Sequence, residues 1–372
     1  MSASASPSAD AGYRLLERAL ERQEAYDLDG ALELSLAGLA ALERESGHRP
    51  EGAVHALILT GRIAQALTHL GEAERLFRRA VAAVDALREG EQLPLLRLRA
   101  REGLAVTYRL QGRYLEAEDA FRQAIADGER ELGPEADAVG DLLGGLAVTF
   151  KYAGRFHEAE SLYRRSLTIA ERAHGPESTA VATLYHNLAG LEHARGRFAS
   201  ALPLARRSVE LREAALGREH PEAAADRAAL AAILDALGQD EEAEQLLRDA
   251  LDVFARAYGD GHYEIAVNAN NLAAILYRRG RHAEAEALYR RSLAIKDSVL
   301  GPEHPELATT LHNLAVLCRA QGRDEEARRL ARRSVALLER TVEPTHPVLA
   351  AHRIDPTAPS IDTRRAAQGL PY

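Results

Sequence analysis

Three asparagines, Asn187, Asn271 and Asn313, fall in one column of a 42-residue spacing, each preceded by a second hydrogen-bonding residue: His186, Asn270 and His312. A primary amide carries donors and an acceptor, the complement of an extended peptide main chain. Asparagine is a mediocre helix former, so three copies at one position need a reason. Six and seven residues further on, the same face offers His193, Tyr277, Arg278 and Arg319, with Arg109 and Lys151 in earlier copies. Such cations suit acidic side chains or a terminal carboxylate. The competing reading is that the asparagines bridge neighbouring helices and the cations are merely solvated. The column holds Gly103, Gly145 and Ala229 in other copies, so any asparagine ladder is interrupted.

Other chemistry finds little support. His220, His262, His304 and His346 also recur every 42 residues. One ion would need them within a few ångströms, whereas repeats stand about a helix diameter apart, so a role in turns is expected and no metal site is assigned. The single cysteine, Cys318, excludes an intramolecular disulfide and reads as a small core residue. No phosphate loop, HExxH, GxSxG or paired-cysteine motif is present, and Gly144-Gly145 has no strand before it. Neither a catalytic residue nor a cofactor is assigned.

The elements that carry these residues are written in small columns. Gly112-Arg113 recurs as Gly154-Arg155, Gly196-Arg197, Gly238-Gln239, Gly280-Arg281 and Gly322-Arg323, always 42 residues apart. Seven residues before each glycine stands an alanine (Ala105 to Ala315), five after stands another (Ala117 to Ala327), and seven later a third small residue (Ala124, Ser166, Ser208, Ala250, Ser292, Ser334). Weaker copies upstream, with Gly61, Ala73 and Ala80 and then Ala19, Ala31 and Gly38, bring the count to eight. Helices approach to about 8–10 Å only where the side chains at a crossing are small, which explains all three columns. Each repeat reads as two helices parted by the glycine turn, for example over 182 to 195 and 200 to 216. Asp240 and Asp324 are expected as N-caps, and Ser200 as the cap that leaves Pro203 in a first turn.

The pattern small-x11-small-x6-small, with an aromatic residue or leucine four after the second column, resembles the tetratricopeptide repeat. The 42-residue period, the turn Leu300-Gly301-Pro302-Glu303-His304-Pro305 and the stretch His312-Asn313-Leu314-Ala315 resemble its kinesin-light-chain-like subtype. HEAT repeats share the period but not these columns. The resemblance implies an all-α, right-handed superhelical solenoid of about eight helix-turn-helix repeats over residues 12 to 354, closed by a short capping helix from Val348. Residues 1 to 11 and 355 to 372 are expected to be a disordered start and a flexible tail, the tail being a candidate self-ligand. The first helices of such repeats line a concave groove, and the family uses the asparagine column to hold peptides; the carry-over covers Asn187, Asn271 and Asn313. A non-enzymatic scaffold binding a partner segment is therefore expected, acting in trans with a signalling NTPase or protease. The alternatives are a regulator whose groove closes on a small molecule or signalling peptide and, less favoured, an unrecognised enzyme.

Composition agrees with this reading. The 372 residues carry 47 basic against 56 acidic side chains, a net charge of −9, which argues against general nucleic-acid binding. Only Lys151 and Lys296 are lysines. No apolar run suffices for a membrane span, and the start lacks the basic and apolar regions of a secretory signal, so a cytoplasmic protein is expected.

Overall fold

A computed structural model describes residues 7–25, 27–44, 50–87 and 93–339. The expected capping helix at 348–354 and the tail at 355–372 lie outside these. Among the described residues there are sixteen helices and no strand, and they fall into two compact units that part between Pro176 and Glu177. The N-terminal unit contains α1 (Pro7–Glu24), α2 (Leu28–Arg44), α3 (Pro50–Ala66), α4 (Leu70–Ala86), α5 (Leu93–Leu110), α6 (Tyr114–Glu131), α7 (Asp137–Tyr152) and α8 (Phe156–His174). The C-terminal unit contains α9 (Thr179–Ala194), α10 (Phe198–Leu216), α11 (Pro221–Ala236), α12 (Asp240–Tyr258), α13 (Tyr263–Arg278), α14 (His282–Leu300), α15 (Leu307–Ala320) and α16 (Asp324–Glu339).

Each odd helix packs along the even helix that follows it, and within a unit each odd helix also touches the next odd one, so the odd helices of each unit form a layer. The small columns lie at these crossings. Ala105, Ala147, Ala231, Ala273 and Ala315 are fully buried, as are the second-column alanines. The serines of the third column add a bond that the pattern alone did not reveal. Ser166, Ser208, Ser292 and Ser334 donate to the carbonyls of Gly140, Ala182, Ala266 and Ala308, at 2.6–3.0 Å, tying each even helix to its odd partner.

The glycine turns follow the geometry expected of them. Gly112 and its five counterparts take φ between 71° and 76°, a left-handed conformation that costs glycine little. The amide after each glycine bonds the carbonyl five residues back, as in Arg113 to Tyr108 and Arg323 to Cys318. The turn arginines clasp neighbouring repeats: Arg113 binds Glu74 at 3.0 Å, Arg155 binds Glu118 at 2.6 Å, Arg281 binds Glu244 at 2.6 Å and Arg323 binds Glu286 at 2.7 Å. Each also holds the glutamate three residues on.

Several boundaries differ from the sequence expectations. The first helix begins at Pro7, inside the segment 1 to 11 expected to be disordered, because proline is well suited to a first helical position. Asp240 and Asp324 are the first residues of α12 and α16 rather than caps, favourable there through the helix dipole. The helix α10 starts at Phe198, so Pro203 lies inside it; both Pro203 and Ala199 are exposed, and water can satisfy the carbonyl the proline leaves unpaired. The turn histidines behave as expected: Nδ1 of His220, His262 and His304 accepts the amide two residues on at 3.2–3.3 Å. His346 lies outside the described residues.

Candidate functional site

The residues singled out above divide between the units. Arg109 and Lys151 belong to the N-terminal unit, in the last turns of α5 and α7, which touch. Both reach the ring of Tyr152, at 5.8 Å from the Arg109 guanidinium and 5.0 Å from the Lys151 ammonium. Arg109 Nε and the hydroxyl of the fully buried Tyr163 are enclosed without a hydrogen-bond partner. Burial pushes both cations below their ordinary pKa values, and the charge of Arg109 lowers Lys151 further. The local alternative, that these cations satisfy helix-end carbonyls, is weakened by the turns: the carbonyls of Tyr108, Arg109, Phe150 and Lys151 already accept backbone amides.

In the C-terminal unit several of the expected groove residues are engaged with neighbouring side chains. Asn313 donates to the side-chain oxygen of Asn270 at 3.3 Å, bridging α15 and α13, and the Asn270 amide nitrogen lies 3.5 Å from Oδ1 of Asn271. Asn270 is buried, so the expectation that it faces a partner is corrected: it is a helix bridge. Arg278 is likewise corrected, since it pairs with Asp235 and, at 3.3 Å, with Asp240. Asp235 sits on the helix packed beside it, in the column that holds cations elsewhere. Tyr277 stacks on His282 at 5.4 Å and His193 tilts onto Phe198 at 5.2 Å. Asn187, Asn271, His312 and Arg319 are half-buried on the odd-helix layer, where burial also lowers the His312 pKa.

His186 binds Asp226 at 2.7 Å, and Asp226 belongs to no motif in the sequence. Its carboxylate is buried and also takes bonds from Ser208 at 2.8 Å and Arg212 at 3.1 Å. Burial alone would raise its pKa; the His186 and Ser208 bonds and the Arg212 charge outweigh that and hold it below the ordinary range. The signal was available. Its column reads Ala100, Leu142, Leu184, Asp226, Asn268 and Thr310, all buried, and an aspartate in such company needs partners.

Beside this network lies a cavity of about 140 Å³ lined in part by Ala189, Ala205, Ala229, Ile233, His186 and Asp226. Its origin can be read from the columns. Four residues after the second small column stand Phe77, Phe121, Tyr163, Leu247 and Tyr289, all buried; small residues stand there in the two end pairs, Ser35 and Ala331, and, among the interior pairs, at Ala205 in the fifth. Phe77 fills the space between Gly61 and Gly103, where added Cβ atoms would come within 2.8 and 2.0 Å of its ring. Phe121 crowds Gly145 in the same way, at 2.6 Å. The asparagine column is therefore interrupted at Gly103 and Gly145 because an aromatic ring occupies the room. Ala189, Ala205 and Ala229 are the equivalents of Gly61, Phe77 and Gly103, and there the ring is missing.

Comparison with known proteins agrees with this architecture. The tetratricopeptide repeat model matches residues 96–172, 180–256 and 264–340, together more than half of the chain. The starts of these matches are two 42-residue periods apart. BtubC (BKLC) from P. vanneervenii is 24% identical, with a TM-score of 0.53 over 62% of this chain and 92% of that one. The apo quorum sensor NprR from B. thuringiensis is 15% identical, with a TM-score of 0.62 over 88% and 87%. A Rap conjugation gene regulator of the plasmid pLS20, solved with the Phr peptide, is 14% identical, with a TM-score of 0.60 over 90% and 95%. At such identities the likeness is one of fold. The sequence finds no match among curated proteins. Among the described residues no helix is long and apolar enough to cross a membrane. By its repeat columns, its paired helices and the matches to three tandem segments, the chain belongs to the tetratricopeptide repeat family.

Proposed function

We propose that the protein is a non-enzymatic interaction scaffold whose odd-helix layer holds an extended, acidic segment of a protein partner. The observation that carries this reading is the pair Arg109 and Lys151. Among the described residues neither has a carboxylate partner, although most arginines of the chain are ion-paired and Arg278, one position beyond the equivalent column, is neutralised by Asp235. Half-buried cations held together without a counter-charge cost stability unless an anion joins them. The Rap regulator of like fold is solved with a peptide, which supports a peptide as the occupant. A second reading, a regulator that changes behaviour on capturing a signalling peptide, draws on the likeness to the quorum sensor NprR and uses the same layer.

The test is fluorescence anisotropy with a labelled glutamate-rich decapeptide and a lysine-for-glutamate control. The double change Arg109→Gln, Lys151→Gln should weaken binding of the acidic peptide by about tenfold or more, since each charged contact contributes about 1.5–3 kcal/mol. Its melting temperature should not fall. Equal binding by wild type and double variant would refute the reading, and a pull-down through the same pair would then name the natural partner if it holds.

A further inference from the structure

The missing ring at Ala205 leaves a seat whose dimensions suit one kind of occupant. Phe77 and Phe121 show what the fold puts there: a six-membered ring from the even helix, enclosed between two odd helices. In the fifth pair the same three positions are Ala189, Ala205 and Ala229, and about 140 Å³ stands open beside them. Ala189 registers the gap. It retains 3% exposure where its equivalents in the other copies have none. An apolar space of about 150 Å³ accepts a benzene-sized molecule. Of the polar groups at its edge, His186 and Ser208 are bonded to Asp226, and His193, the fourth, packs its ring against Phe198.

We propose that this seat binds an aromatic ring presented from outside the chain, as a phenylalanine or tyrosine side chain of the bound segment. The ring would enter between α9 and α11, past the half-buried Ala229 and Gly190, and complete the packing that Phe77 and Phe121 complete internally. The proposal rests on the reading that a segment is held by the odd-helix layer, but on a different unit and a different chemistry from Arg109 and Lys151. The seat is thus the specificity-determining pocket of the C-terminal unit: a ring in, a shorter side chain out.

The experiment follows the methyl resonances of Ile233, which lines the cavity, during titration with toluene and with two capped peptides, acetyl-Glu-Ala-Phe-Ala-Glu-amide and its Phe→Ala counterpart. Toluene and the Phe peptide should both shift Ile233, and the Ala peptide should not. Ala205→Phe should abolish both shifts and raise the melting temperature, which shows that the variant folds. Ala229→Phe, which blocks the entrance, serves as a second plug. Failure of toluene to shift Ile233, or persistence of its shift in both plugged variants, overturns the seat. A shift with toluene but equal behaviour of the two peptides overturns the side-chain assignment and leaves a site for free aromatic molecules. Loss of acidic-peptide binding in Arg109→Gln, Lys151→Gln is scored separately, so either reading can fail without the other.

Discussion

Replacing Asp226 by leucine tests the packing argument most directly. Leucine is what Leu142 and Leu184 place in the same column, so shape is nearly kept and the lost charge dominates. Two donors lose an acceptor, His186 and Arg212, and the one hydroxyl proton of Ser208, which lies within reach of both Asp226 and the Ala182 carbonyl, is left with the carbonyl alone. Ser208 retains the carbonyl of Ala182 at 3.0 Å, and Arg212 retains Glu222 at 2.9 Å and Thr183 at 2.9 Å. Breaking a buried pair costs about 3–5 kcal/mol, and these residual bonds place Asp226→Leu near the lower end, about 3 kcal/mol. For a unit of this size that is a fall of about 6–12 °C in melting temperature. The column of Arg212 holds Gly128, Ala170, Phe254 and Leu338 besides the buried Lys296, so apolar side chains fit there in other copies, and Asp226→Leu, Arg212→Leu should recover most of the loss. The assay is thermal melting with hydrogen exchange, and protection should fall over α9 to α12 while α1 to α8 keep theirs. The pH dependence supplies a further check. The folded carboxyl titrates below its unfolded value, so its stabilisation is present above the ordinary carboxylate range and is lost as pH falls through the folded pKa. The variant should lack that acid-side loss. A double variant as unstable as the sum of the single changes would refute the reasoning.

Three shorter predictions follow from the same geometry. Ala231→Leu, at a fully buried crossing, should overpack and cost about 1–3 kcal/mol, whereas Ala189→Leu has the cavity beside it and should cost less; melting curves decide the order. Glu102 is raised by burial and by Asp141, with Arg62 opposing at 3.8 Å. A raised folded pKa gives stability at low pH that is lost as pH rises, so Glu102→Gln should melt above wild type at neutral pH and lose that advantage in acid. The triple change Asn187→Ala, Asn271→Ala, Asn313→Ala should cost about 0.5–1.5 kcal/mol of stability through the Asn313–Asn270 bridge, with any greater loss appearing in peptide affinity; a large fall in melting with affinity intact would make these residues purely structural.

Much of the architecture was legible because packing repeats. The small columns recur at every crossing, and eight pairs, their glycine turns and the turn histidines follow from them. The first-column alanine at 189 reads like its equivalents, yet it borders a gap, because the gap depends on what Ala205 fails to supply from another helix. Arg278 and Asn270 looked available for the same reason: one sequence position does not show the neighbour that a fold brings 43 residues closer, Asp235 or Asn313. Asp226 was visible as the one charged residue in a buried column, and no motif contains it. The division after Pro176 left no mark in a period that continues across it.

The clasp made by each turn arginine makes the chain tolerant of changes in its own length. Arg155, Arg281 and Arg323 each reach a glutamate 37 residues back, so these repeats each carry one half of a lock to the repeat before them, a lock that the pair Gln239 and Leu202 does not form. Unequal crossing-over that adds or removes 42 residues brings an equivalent arginine opposite an equivalent glutamate at the new junction wherever both residues are present in the repeats joined. With an extended segment advancing about 3.3 Å per residue and neighbouring helices about 8–10 Å apart, each added repeat lengthens the ligand that can be read by about three residues. Gene rearrangement can in this way lengthen or shorten what is recognised one repeat at a time, with no new fold to invent.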